Sequence, residues 1–145
     1  MNNAPTTLRF EAAAIAVARI LLSGLFLYEA WFKLTHYAQA VGYAETFGIS
    51  AAALPLALIV EAGGGLFVLI GFQIRIAALA LAGFCISTAV LFHLKLSDGG
   101  EVLHFGKDLG LAGGFLLLAV HGAGQWSIDA LRASFRQSSG PSKRP

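Results

Sequence analysis

Among the ionisable side chains in or beside the long apolar runs of this 145-residue chain are Arg19, Glu29, Lys33, Glu61, His93, Lys107, Asp108 and His121. A charge at bilayer depth costs at least ~2.5–3.5 kcal/mol on insertion scales, so these positions carry the chemistry to be sought. Glu61 and His93 form the candidate catalytic pair. A carboxylate far from water can take a proton or a hydrogen bond, and an imidazole can pass a proton on. Arg19, Glu29, Lys33, Lys107 and Asp108 are the candidate ligand-binding residues, the cations suited to an oxyanion and the carboxylates to a donor. Glu29 and Lys33 stand four apart and share one face of a helix, so they can pair. Glu61 has no charged neighbour in its own segment. It must find a donor on another helix or bind a proton.

A structural role competes at each position. Glu29 and Lys33 can act as glue between helices, and Lys33 can snorkel to the interface. Asp108 suits the positive start of a helix. Arg19 lies towards the other membrane face, where the region of His121 or lipid headgroups would be its partner. The histidines, His36, His93, His104 and His121, lack metal-ligand spacing. His93 and His104 can meet across a loop, but no metal is expected from two such ligands. The single cysteine, Cys85, cannot form an internal disulfide or a CxxC pair and reads as a small apolar packing residue.

The elements that must position these side chains follow from composition. AVILMFWYC residues make up 57% of the chain and charged residues 12%, with 17 glycines and a mean hydropathy of +0.71. Soluble domains carry about twice that charge. A soluble enzyme, a nucleic-acid binder and a disordered chain are thereby set aside, and a net charge of +2 gives no reason to expect nucleic acid as a partner. Four apolar runs, Ala12–Leu34, Ala51–Phe72, Ile74–Leu94 and Val102–Val120, are each about the ~20 residues a spanning helix needs. The predicted fold is an all-α integral membrane four-helix bundle. A short interfacial helix is expected within Thr35–Ser50, ended by Gly48. Gln73–Arg75 reads as a tight turn and Lys95–Glu101 as a loop. His121-Gly122-Ala123-Gly124 breaks the fourth span, and Ser127 can cap a short amphipathic helix beginning Ile128-Asp129-Ala130. The domain division is a tail over 1–11, a four-span domain over 12–131 and a basic, disordered tail over 132–145.

At ~1.5 Å per residue, Glu29 lies ~8 Å from the outer end of span one, Glu61 near the centre of span two, and His93, Lys107 and Asp108 near the outer ends of spans three and four. Glycines at 63–65 and at 106, 110 and 114 are expected to let helix backbones approach closely. Tyr28, Trp31 and Trp126 are candidate interface anchors. Arg9, Arg75, Arg132, Arg136, Lys143 and Arg144 fall on the side of the termini, against Lys33, Lys95 and Lys107 on the other. The positive-inside rule then puts both termini in the cytoplasm.

The order and spacing of several of these pieces resemble the DoxX family of small integral membrane proteins. The pieces are Arg19-Ile20-Leu21-Leu22 through Gly24-Leu25-Phe26-Leu27-Tyr28 to Lys33-Leu34, then Glu61-Ala62-Gly63-Gly64-Gly65 with Gly71 and Arg75, then His93. Lys107-Asp108-Leu109-Gly110-Leu111-Ala112-Gly113-Gly114 and Gly122-Ala123-Gly124-Gln125-Trp126-Ser127-Ile128-Asp129 complete the set. The resemblance spans about Arg19 to Leu131. It implies a four-helix protein of the bacterial inner membrane, related to subunits of a thiosulfate:quinone oxidoreductase or to complexes that handle thiols and oxidative stress. Arg19, Lys33, Glu61, His93 and Lys107 match the family pattern. Asp108 stands where relatives often have Asn, Ala123 where they often have Pro, and Glu29 where many have a small or polar residue.

Three functions follow from this reading. In the first, the chain is a subunit of, or accessory to, a quinone- or thiol-linked membrane oxidoreductase system. Glu61 is the proton acceptor or the hydrogen-bond partner of a quinone oxygen, His93 relays the proton outward and Lys107 holds an oxyanion. The chain has no cofactor motif of its own, so a partner redox subunit is implied, with quinone as the cofactor. In the second, it is a non-enzymatic scaffold whose basic tail contacts membrane lipid or a partner. In the third, it is a small proton-coupled carrier, for which four spans require a homo-oligomer.

Overall fold

The structure, a computed structural model, describes residues 6–94 and 99–138. All of its regular elements are helices, and four spans are long and apolar enough to cross a membrane. The first span is α1 (Thr6–Thr35), and α2 (Tyr37–Thr46) follows it. The second span is composite: α3 (Ala53–Leu58), a π-helical turn (Ile59–Gly63) and α4 (Gly64–Ile70). The third span is α5 (Ile74–Phe92), the fourth α6 (Gly99–His121), and α7 (Ile128–Ser138) completes the fold. Helices are the form that closes every backbone hydrogen bond inside lipid.

Several boundaries differ from those read in the sequence. α1 starts at Thr6, six residues before the apolar run at Ala12, because nothing in Thr6–Glu11 breaks a helix. The tight turn falls at Gly71–Gln73, earlier than Gln73–Arg75. Gly71 takes a left-handed backbone (φ 67°), as does Gln73 (φ 48°), and α5 is already under way at Ile74. Gly99–Glu101 belong to α6 rather than to a loop, with Glu101 in its first turn, where an acid complements the positive helix end. Residues 95–98, the rest of that expected loop, lie outside the described residues. So do 1–5 and 139–145, with Lys95, Lys143 and Arg144 among them. α7 runs to Ser138, so the described part of the expected disordered tail, 132–138, is helical.

Other local features match the expected turn chemistry. Gly48 (φ 73°) ends the segment after α2, and Ser127 Oγ accepts the Ala130 N–H at 3.1 Å at the start of α7. Asp129 does more than begin that helix. Its carboxylate accepts the N–H groups of Gln73 and Ile74, both at 3.0 Å, and so satisfies the free amides at the start of α5.

The core runs down the bundle axis through Phe26, Val68, Leu81, Cys85, Phe115 and Leu118. Phe26 meets Phe115 edge-on, with ring centroids 5.3 Å apart. Between helices in lipid, close packing replaces the hydrophobic drive. Gly64 and Gly65 supply it. A Cβ on Gly64 would lie 3.0 Å from Leu81, and one on Gly65 would lie 3.2 Å from Leu27. In α6 the expected row is realised at Gly114, set against Leu22. Gly106, Gly110 and Gly113 have open space beside them.

Candidate functional site

The π-helical turn places Glu61 halfway along the second span, facing the bundle, and its side chain is 2% exposed. Such wide turns inside α-helices concentrate at functional sites. Lys33 reaches across from α1, and its Nζ donates to Glu61 Oε1 at 2.6 Å and to Glu29 Oε2 at 3.3 Å. The donor that the sequence required for Glu61 on another helix is therefore Lys33, and the expected Glu29–Lys33 pair extends into a triad. Lys33 spans the two acids because Glu29 sits one turn before it while Glu61 packs beside it from the second span. Glu61 Oε2 has no hydrogen-bond partner. Among the described residues it is the one buried side-chain polar atom in that state, and a buried acceptor left unpaired normally costs ~1–3 kcal/mol.

A second polar cluster forms where α5 ends and α6 begins. His93 Nδ1 lies 2.7 Å from Glu101 Oε2, and His93 Nε2 lies 4.0 Å from Asp108 Oδ2. Asp108 also sits 3.5 Å from Lys107 Nζ and 3.3 Å from the Thr88 hydroxyl of α5, which is 2.9 Å from the Cys85 carbonyl. The His104 ring stacks on His93 at 5.1 Å, so the two do meet. Among the described residues no group of three or more His, Cys, Asp or Glu could hold a metal ion.

Both clusters line one cavity of about 930 Å³. Six of the seven candidate residues face it: Glu29, Lys33, Glu61, His93, Lys107 and Asp108. The rest of the wall is mostly apolar, with Phe26, Phe84 and Leu111 among its residues. α2 covers the end of the cavity away from α7. Its Tyr43 stacks on Phe92 at 5.8 Å, and Phe47 meets the same ring edge-on at 5.1 Å. Burial, and then the charge of Glu101, raise the Tyr43 phenol above its ordinary range, so it remains a donor at neutral pH. Phe32, Tyr43, Leu56 and Leu91 line the cavity and are also exposed on the bundle surface. They mark an opening towards the side of the bundle.

Arg19 stands apart from this cavity. Its Nε donates to Val68 O at 3.0 Å and its Nη2 to Leu69 O at 2.7 Å. Its Nη1 donates to Ala123 O and Trp126 O, both at 2.8 Å. Four of its five N–H groups are spent on carbonyls. The partner lies close to the expected region of His121, but it is backbone rather than the His121 ring or a headgroup. The effect is to tie span one to the end of span two and to the break after span four.

Sequence reasoning missed Glu101, Thr88, His104 and Tyr43 as cavity residues. Glu101 carried a signal, an acid in the first turn of a helix, that was obscured by reading the segment as loop. The π-turn had none beyond the three glycines that follow Glu61.

The sequence is similar to those of known proteins. The DoxX family model matches residues 14–94. This chain belongs to the DoxX family. It is 46% identical over 123 residues to inner membrane protein YqjF of Escherichia coli (strain K12), a match covering 85% of this chain and 95% of that protein. It is 27% identical over 122 residues to inner membrane protein YphA of the same organism, covering 79% of this chain and 87% of the relative. No solved structure matches. With four apolar spans and inner membrane relatives, this DoxX protein is a multi-pass protein of the bacterial inner membrane.

Proposed function

We propose that this DoxX protein holds a quinone in its cavity and works as a subunit of, or accessory to, a quinone- or thiol-linked oxidoreductase system of the inner membrane. The observation that carries the reading is the gathering of Glu61, Lys33 and His93 on one largely apolar cavity of about 930 Å³. That volume is within the ~300–1,000 Å³ of small-molecule sites, which join apolar walls to a few polar groups. The residues fit such a ligand. Phe26, Phe84 and Leu111 suit a flat ring, the exposed lining side chains suit a lipid tail, and Glu61 Oε2 has an unused hydrogen-bonding site.

A quinone supplies two-electron, two-proton chemistry when bound. The chain's own residues then bind, orient and manage protons. Glu61 holds a proton or hydrogen bond at Oε2 while Lys33 fixes its other oxygen. His93, anchored at Nδ1 by Glu101, passes a proton between the cavity and the outer end of the bundle. Lys107 lies beside Asp108 and balances its charge. Electrons leave or arrive through a partner redox subunit.

The same reading puts both termini in the cytoplasm. Arg9, Arg75, Arg132 and Arg136 belong to the end of the bundle that holds the termini, and Lys33 and Lys107 to the other. A reporter active only outside the cytoplasm, fused after Pro145, is expected to stay silent. The main test is purification from membranes with identification of bound quinone and co-purifying protein. Quinone in the preparation, and loss of the complex's turnover in Glu61→Gln, are expected. A preparation without quinone, whose complex is unaffected by Glu61→Gln, overturns the reading in favour of a scaffold.

A further inference from the structure

The end of the bundle that holds the termini carries a helix that the cavity does not use. α6 ends at His121 and α7 begins at Ile128, close to where span four leaves the membrane. The first turn of α7 is fixed to the turn between spans two and three. The Asp129 N–H donates to Gly71 O at 3.0 Å, and the Asp129 carboxylate accepts the N–H groups of Gln73 and Ile74. The Arg132 guanidinium lies 5.1 Å from the centre of the Phe72 ring, within cation–π range. These contacts hold α7 at the level where spans two, three and four end, which is a membrane face.

The side chains of α7 divide by helical spacing. Ile128, Leu131 and Phe135 recur at i, i+3 and i+7 and share one face. Leu131 is 58% exposed, and Trp126, just before the helix, is 59% exposed. Arg132 and Arg136 stand four apart and flank that face, and both are exposed. A helix with one apolar face and arginines along its border is the form that lies in the plane of a membrane surface. The neighbouring spans are immersed in lipid, so the surface that meets α7 at this level is the headgroup layer. Charge selects among such surfaces. Arg9, Arg75, Arg132 and Arg136 are exposed at this end, against Glu11 and Asp129 among the described residues, and the Asp129 carboxylate is occupied by two backbone amides.

We infer that α7 binds the anionic phospholipid surface of the membrane. Leu131 and Trp126 are set into the boundary between headgroups and acyl chains, and Arg132 and Arg136 meet the phosphates of anionic lipids. The inference does not depend on the quinone-site reading. An arginine near an anionic surface adds an attraction that salt screens. A preference for anionic over zwitterionic lipid that falls with salt is therefore its signature.

The test uses the full chain in nanodiscs of phosphatidylcholine alone or with phosphatidylglycerol added. Hydrogen exchange over 128–138 in the unaltered protein is expected to slow at least threefold when phosphatidylglycerol is present, and to return towards the phosphatidylcholine rate at high salt. A Trp31→Phe background leaves Trp126 as the single tryptophan. There, lipids carrying a nitroxide near the top of one acyl chain report contact with the start of α7. The nitroxide phosphatidylglycerol is expected to quench Trp126 at least threefold more effectively than the phosphatidylcholine, and Arg132→Gln/Arg136→Gln to bring the two level. Equal exchange rates in the two nanodiscs, or equal quenching by the two lipids before the arginines are changed, overturn the inference. Quenching by neither lipid also overturns it, and leaves the exposed face to a protein partner or a second copy of the chain. The exchange comparison needs no variant, so a variant that fails to fold does not remove the test.

Discussion

Lys33→Met is the sharpest perturbation of the site. Lys33 Nζ is 2.6 Å from Glu61 Oε1 and 3.3 Å from Glu29 Oε2, and Glu61 has no other partner at either oxygen. Removing one member of a buried ion pair costs ~3–5 kcal/mol, because the remaining charge is left uncompensated, whereas replacing the whole pair with neutral groups of similar volume is often close to neutral. Glu29 is partly exposed and contributes little, on the order of 0.5 kcal/mol for an i,i+4 pair. Lys33→Met is thus expected to destabilise by roughly 3–5 kcal/mol. At about 3 °C per kcal/mol for a chain of this size, that lowers Tm by roughly 9–15 °C. The double variant Lys33→Met/Glu61→Gln is expected to recover most of the loss. The assay is thermal unfolding of purified protein in one detergent, run as a double-mutant cycle. A Lys33→Met protein that melts with wild type, or a double variant no better than the single, would refute the pairing.

Three further predictions concern the frame that holds the cavity. Arg19→Lys is expected to cost at least ~1.5–3 kcal/mol, the worth of one hydrogen bond to a charged group that the ammonium cannot make. An ammonium keeps the charge but not the planar fork that reaches four carbonyls on two segments. Limited proteolysis of the 122–127 connection should speed up in step, and an unchanged digestion rate would count against it. Gly71→Ala is expected to cost more than ~2 kcal/mol. Its Cβ would lie 2.5 Å from Ser127 Cβ and 3.0 Å from Arg19 Cζ, on a backbone at φ 67°, and a wild-type melting curve would contradict this. Asp129→Ala is expected to cost ~1–2 kcal/mol through the loss of two capped amides at the start of α5. Hydrogen exchange at Gln73 and Ile74 should rise, and unchanged protection there would remove the cap from the account.

Much of this was legible in the sequence, for reasons that vary by residue. The spans were legible because lipid allows one solution for long apolar runs. Glu29 and Lys33 were legible as a pair because helix geometry alone brings i and i+4 together. Glu61 was legible only as a residue needing a donor. Which helix supplied that donor is a tertiary fact, and Lys33 sits 28 residues away in the chain. Arg19 is the opposite case. Its position in an apolar run suggested a ligand contact, yet its hydrogen bonds go to backbone carbonyls, which carry no side-chain signature. Glu101 was hidden by the glycines at 99–100, which read as loop but fall inside the start of α6. The π-turn left no periodicity of its own to detect.

The proposed quinone site is the cavity shared by Glu61 and His93. Photolabelling with an azido-ubiquinone analogue in native membranes, followed by peptide mapping, tests it most directly. Adducts are expected on the peptides carrying Phe32, Tyr43 and Leu91, suppressed by excess decylubiquinone. Labelling confined to side chains outside the cavity, or unaffected by the competitor, would contradict it.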